Sequence, residues 1–357
     1  MLRLPQCTVS GPPEQMGGSY GAQLREPIRG FVAQRLAAAS VYLRERGISD
    51  RDAFLALGRA CLAALEAWDR DAWLEHLATA EGAGIDAGEL YTVGNMTDIR
   101  DILTLPGPTP ADREGCSAVL LPPGSTAAGE VIAAQTWDLN PTDLEFVVAV
   151  QRRPSAGPRT WSITCAGCPS LIGINEHGLA VGTTNIKTRG SRVGVPYLSL
   201  LHRAIRCADV AEAGAVFEQA PRAAAHTYWA ADFRGAKQWE CTASSFVSRE
   251  LDGQPIVQTN HCQVAAHQRS EGEPASPSSK ARLAKLTALV SSGAQDVATL
   301  RAAFADRSDG IDSINRYAED GQGTATDACI VALPAERAMW ACRGSADRGE
   351  WVRLGFE

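Results

Sequence analysis

No stretch of the 357-residue chain reaches the ~18 uninterrupted apolar residues that a membrane-spanning helix needs, so no segment is expected to cross a bilayer. Basic charge is not in excess: 34 Lys and Arg stand against 41 Asp and Glu, a formal net charge of −7. A general nucleic-acid binder carries a basic face, and this balance offers none, nor does it favour an anionic membrane as partner. The opening Met1-Leu-Arg-Leu-Pro-Gln-Cys-Thr8 lacks an apolar core of secretory length. Ten cysteines are too thinly spread for a disulfide scaffold. Without an export signal they are expected to be reduced, and a cytoplasmic location is the default. No Gly-x-Gly-x-x-Gly follows a strand and no phosphate loop occurs, so nucleotide binding has no support. Internal repeats and low-complexity tracts are also missing. What is there is the composition of an ordinary globular protein, 45% hydrophobic and 21% charged, in a chain long enough to bury a substantial core.

The first third and the remainder have different textures. From Glu14 to about Arg100 the pattern is helical: Leu57, Cys61, Leu65 and Trp68 recur at helical spacing, behind Asp50 as an N-cap. A shorter helix is expected from about Asp86 past Leu90 and Val93. Three prolines and two glycines then mark residues 105–115 as a loop. After Gly115 the chain reads as strands, at 117–121, 130–138 and 145–150. Hairpins are expected at 171–182, turning through Asn175-Glu-His-Gly178, and at 228–241, turning at Arg234-Gly235. Residues 274–278 read as an exposed loop, 279–291 and 297–305 as helices, and 328–333 and 338–342 as closing strands. Hairpin-linked strands with segregated helices imply an α+β layered fold, not alternating βαβ units.

The junction between the two textures is Gly115-Cys116-Ser117. Glycine admits strained backbone and leaves its carbonyl open to attack. A cysteine directly after it can attack that carbonyl, convert the peptide to a thioester and, after hydrolysis, become a new amino terminus. An α-amino group has a pKa near ~7.7–8.0 and is partly neutral at physiological pH, so it can serve as base for the thiol beside it. The plainer alternative for Cys116 is a buried strand cysteine packing as a small hydrophobe.

Four places in order bear on that choice: Gly115-Cys116-Ser117, Ala134-Gln-Thr-Trp-Asp138, Ile174-Asn-Glu-His-Gly-Leu-Ala-Val-Gly182 and Gln258-Thr-Asn-His261. Together they resemble the acyl-coenzyme A:6-aminopenicillanate acyltransferase (isopenicillin N acyltransferase) family of N-terminal-nucleophile proteins. The likeness spans nearly the whole chain. It departs at Ser117, where the family often has Thr, and at Ala134 and Thr136, within a Gly-Gln-Asn-Trp-Asp type motif. The resemblance implies a four-layer αββα sandwich. Residues 1–115 would be the helical small chain and residues 116–357 the β-rich catalytic chain, one domain in all. It implies a heterodimer of the two cleavage fragments, needing no metal or organic cofactor.

The resemblance also implies site residues. Asp138 would organise the nucleophile end, where its carboxylate could meet the new ammonium; the alternative is a turn aspartate before Leu139-Asn-Pro. Asn260 would donate to the oxyanion, against the alternative of a strand-ending Asn. Arg316 would lie near the site to hold a carboxylate or developing charge, with Arg343 as competitor. His261 reads as structural, and His177 as a solvated turn residue. The implied activity is amide hydrolysis or acyl transfer on a small N-acylated or aminoacylated amine through a thioester, with an acyl-coenzyme A donor as the alternative acyl source. Two rival readings remain: a redox or metal protein built on Cys165-Ala-Gly-Cys168, and a binding relative of the same fold that never cleaves.

Overall fold

The structure is a computed structural model that describes residues 1–48, 50–105 and 115–356, so most of the proline-rich loop expected before Gly115 lies outside the described residues. A strand, β1 (Gln6–Gly11), opens the chain. Helices follow: α1 (Pro13–Gln23), α2 (Arg25–Glu45), α3 (Arg51–Trp68), α4 (Arg70–Ala83), α5 (Ala87–Gly94) and α6 (Met96–Thr104). Past the junction come β2 (Ser117–Leu121), β3 (Ile132–Leu139), β4 (Val147–Pro154), β5 (Thr160–Cys165), β6 (Ile172–Asn175) and β7 (Ala180–Asn185). Helices α7 (Tyr197–Ala204) and α8 (Val210–Gln219) lead to β8 (His226–Asp232), β9 (Gly235–Cys241), β10 (Phe246–Glu250) and β11 (Ile256–Gln258). The chain closes with α9 (Ala265–Gln268), α10 (Pro277–Ser291), α11 (Val297–Phe304), β12 (Ala325–Leu333), β13 (Ala338–Arg343) and β14 (Val352–Gly355).

Among the described residues the strands form an eight-stranded sheet, β1-β4-β5-β6-β7-β8-β9-β10, and a six-stranded sheet, β11-β2-β3-β12-β13-β14. Side chains alternate across each sheet, and the alternation assigns the layers. Val147 and Ala149 join Ala133, Ile330 and Met339 between the sheets, while Val148 and Val150 pack outward on Met16 and Tyr20 of α1. On the other outer face Val119, Leu121 and Ile132 meet Leu286 and Val290 of α10 and Phe304 of α11. The fold is therefore the αββα sandwich. Helix α3 uses a buried face of Phe54, Leu55, Cys61, Leu62 and Leu65, with Leu57 and Trp68 at its margins. Asp50 caps it as expected, accepting from the Ala53 amide at 2.9 Å. Gly58 lets α3 close on α5, for a Cβ there would meet Thr92 Oγ1 at 1.8 Å.

The purely antiparallel expectation needs one correction. β1, within residues 1–115 but ahead of the stretch read as helical, pairs parallel with β4, Gln6 opposite Ala149. A second correction concerns residues 274–278: Ser276 caps α10 by accepting from the Ser279 amide at 3.0 Å, and Pro277 opens the helix, where its missing N–H is no loss.

Candidate active site

Sheet register gathers the site at one end of the six-stranded sheet. Ser117 lies opposite Thr136, so Cys116 falls beside Trp137 and Asp138. Gln258 lies opposite Ala118, which carries Asn260 to the other flank of Cys116. Thr326 faces Asp138, and Arg316 is tied to Thr326 by a reciprocal pair of 3.1 Å hydrogen bonds. Cys116, Asp138, Asn260 and Arg316 are thus drawn together from four separate segments.

Cys116 is buried; its Sγ accepts from the Asp138 amide at 3.5 Å and lies 3.6 Å from the Asp138 carbonyl oxygen. Gly115 does not use the positive φ open to glycine. It supplies room: a Cβ there would sit 2.3 Å from Asp138 Oδ2 and 2.6 Å from Asp138 Cβ. The Asp138 carboxyl therefore lies directly against the junction. Burial pushes its pKa up to about 6, against the opposing pull of the Arg316 and Arg282 guanidinium groups. Arg316 Nε stands 3.7 Å from Asp138 Oδ2, and neither these carboxylate oxygens nor that nitrogen completes a hydrogen bond among the described residues. The guanidinium is held by Thr324, Nη1 donating at 2.7 Å, and by Ser278. Its competitor Arg343 donates instead to the Leu144 carbonyl oxygen at 2.8 Å.

Asn260 is half-buried; its Nδ2 donates to the Asn185 carbonyl oxygen at 3.0 Å, and its Oδ1 accepts from Arg282 Nη2 at 3.0 Å. His261 Nδ1 pairs with Ser279 Oγ at 2.7 Å, and burial, with Lys280 and Arg282 nearby, lowers its pKa, as suits a neutral structural imidazole. His177 is exposed in its turn. Cys165 and Cys168 are buried beside Tyr20, whose hydroxyl donates to both carbonyl oxygens. Burial raises both thiols, Cys168 to about 12, the opposite of what a reactive thiolate requires. Among the described residues no group of three or more His, Cys, Asp or Glu side chains could hold a metal ion.

Cys116, Asp138 and Asn260 open onto a small cleft of about 30 Å³ between the two sheets, walled by Trp137, Leu139, Leu171, Tyr197 and Thr97. His226 closes it: its ring stacks on Tyr197 at 4.5 Å, and its Nε2 lies 2.7 Å from Asp98 Oδ1. Thr97 and Asp98 belong to α6, so the N-terminal segment builds part of this wall.

The sequence reading named neither Thr97, Tyr197 and His226 of the cleft wall nor the cation beside the junction. Arg282 is fully buried, and its Nη1 donates to the carbonyl oxygens of Gly115 at 2.7 Å and Cys116 at 2.5 Å and to Ser117 Oγ at 3.0 Å. The signal was its helical phase: it shares the buried face of α10 with Ser279, Leu286 and Val290, where a charged residue needs partners.

An αββα sandwich with this cluster at the end of an inner strand is the frame of the N-terminal-nucleophile amidohydrolases and acyltransferases. A profile of the family described as acyl-coenzyme A:6-aminopenicillanic acid acyl-transferase matches residues 125–348, well over half of the chain. The chain belongs to this family. The matched segment holds Asp138, Asn260, Arg282 and Arg316; Cys116 lies ahead of it. Among solved structures, penicillin V acylase from Agrobacterium tumefaciens aligns at 13% identity and TM-score 0.44, over 68% of this chain and 86% of that one. A variant of conjugated bile acid hydrolase from Clostridium perfringens aligns at 11% and 0.46, over 68% and 97%. The Caenorhabditis elegans ortholog of N-acylethanolamine-hydrolyzing acid amidase aligns at 13% and 0.43, over 61% and 93%. No curated protein sequence matches the chain.

Proposed function

We propose that this chain is a precursor that cleaves itself between Gly115 and Cys116 and then acts as a cysteine amidohydrolase. The observation that carries the reading is the convergence of Asp138, Asn260 and Arg316 on a Gly-Cys junction whose thiol opens onto an apolar cleft. In turnover the Cys116 α-amine takes the thiol proton, the thiolate adds to a substrate carbonyl, and the Asn260 amide donates to the resulting oxyanion. The amine leaves with the proton, and water hydrolyses the thioester. Asp138 is suited to hold the new α-ammonium, because its buried carboxyl lies directly against the Gly115–Cys116 junction. Arg316 balances the Asp138 carboxylate. Trp137, Leu139, Leu171 and Tyr197 suit a small apolar acyl group. Water is the acceptor we favour, since it is always at hand; the family description supports an acyl-coenzyme A donor as the other acyl source. Residues 1–115 stay bound as a small chain, because α6 helps to wall the cleft.

The test is intact mass under denaturing conditions. Wild-type protein should separate into residues 1–115 and 116–357, the second with a free amino-terminal cysteine, and Cys116→Ala should remain whole. A single wild-type chain after long incubation would identify a relative of the same fold that never cleaves.

A further inference from the structure

We infer that Arg282 is a catalytic residue of the self-cleavage step, supplying the oxyanion donor for the Gly115 carbonyl. This rests on the reading of Gly115–Cys116 as the cleaved bond. In that step Cys116 Sγ bonds to the Gly115 carbonyl carbon through a five-membered ring, and the carbonyl oxygen becomes an oxyanion. The carbon–nitrogen bond then breaks, the thiol proton ends on the Cys116 nitrogen, and a thioester remains. Water adds to the thioester and releases the Gly115 carboxylate and the free thiol.

The charge in this sequence develops on Gly115 O, and Arg282 Nη1 already donates to that atom at 2.7 Å. The donor is fixed before the reaction begins. Nη1 is also held on Cys116 O and Ser117 Oγ, Nε on Ser278 Oγ at 3.3 Å, and Nη2 on Asn260 Oδ1. The guanidinium is buried, so its field on the oxyanion is little screened by water. It arrives from the outer helical layer, on the opposite side of β2 from the cleft, because Ser117 points to α10 while Cys116 packs between the sheets. Asn260 faces the cleft from the other side. Two oxyanion donors are thus divided between two reactions: Arg282 for the peptide of the chain itself, Asn260 for the substrate. Because Nη2 holds Asn260 Oδ1, Arg282 also fixes which end of the Asn260 amide is the donor.

The experiment follows processing over time, by intact mass, in freshly synthesised wild-type, Arg282→Gln and Arg282→Lys chains, with thermal melts to establish folding. Removing an oxyanion donor slows a reaction by about 10²–10³. Arg282→Gln should fold and remain a single chain through the period in which wild type is fully processed. Arg282→Lys, which keeps the charge but not the fork, should be processed at an intermediate rate. Hydroxylamine, which cleaves accumulated thioester, should not restore processing of Arg282→Gln, because the slowed step precedes the thioester. If Arg282→Gln does not fold, Arg282→Lys decides: slowing of tenfold or more in a folded chain supports the role. Wild-type rates in either folded variant overturn it while leaving the self-cleavage reading intact. A wild type that never cleaves overturns both.

Discussion

At Asp138 two pulls act on one carboxyl. Burial favours the neutral acid and two guanidinium groups favour the carboxylate; burial wins, and the pKa rises to about 6. The consequence for stability has a definite sign. Unfolded, the group titrates near ~3.9, so folding is unimpeded by it below that pH, and stability is lost as pH rises through about 6. Asp138→Asn, compared within the uncleavable Cys116→Ala chain, should therefore gain on its parent between pH 4 and pH 7. The gain expected from a shift of this size is on the order of 2 kcal/mol. Denaturant unfolding at both pH values measures it; a difference independent of pH would show that Asp138 is not held above its ordinary range. At this scale the sequence was informative where the candidate residues stand in short motifs. Cys116, Asp138 and Asn260 each stood in one, and they converge. Arg282 did not, because a guanidinium reaching across a sheet from a helix leaves no local pattern; only its place on an apolar helical face betrays it.

Elements were legible where one face is wet and one dry. The helix capped by Asp50 and the hairpins β6–β7 and β8–β9 followed from periodicity and turn chemistry. Gly178, at φ 87°, takes the left-handed turn position that the Asn175–Gly178 stretch announced. Helix α7 was not seen, because its eight residues make only two turns, too short a stretch for Ser199, His202 and Arg203 to stand out as a polar side. β1 was not seen because its partner β4 lies far along the chain, and local sequence carries no trace of a parallel pairing at that distance. The element with most to lose is α6. Asp98 in its first turn accepts from the Tyr197 amide at 3.1 Å and pairs with His226, both contacts buried. Asp98→Ala strips two buried groups of their partner, and at about 1–3 kcal/mol each it should destabilise the protein by about 2–6 kcal/mol. Asp98→Asn, which keeps an acceptor for the Tyr197 amide, should cost less. Urea unfolding of the two variants checks the order; Asp98→Ala melting with wild type would remove α6 from the supports of the cleft.

For the whole molecule, the family resemblance predicted the layers, and alternation along β4 explains them: consecutive side chains serve different cores. The feature with the longest reach is β1, six residues paired parallel along the edge of the eight-stranded sheet. Folding of the precursor is a first-order event, since both segments arrive on one chain. If the junction is then cut, the protein's recovery changes kinetic order. A denatured mature sample must bring two separate polypeptides together before β1 can find β4, so the yield of renatured enzyme should fall on dilution. The Cys116→Ala chain should regain its structure at a rate and yield independent of concentration, as followed by circular dichroism over a hundredfold range. Equal dilution behaviour in the two would mean that residues 1–115 are not needed to rebuild the sandwich. Otherwise the cut acts as a ratchet: the assembly persists by the slowness of its undoing, and its history, rather than its sequence alone, keeps the two chains together.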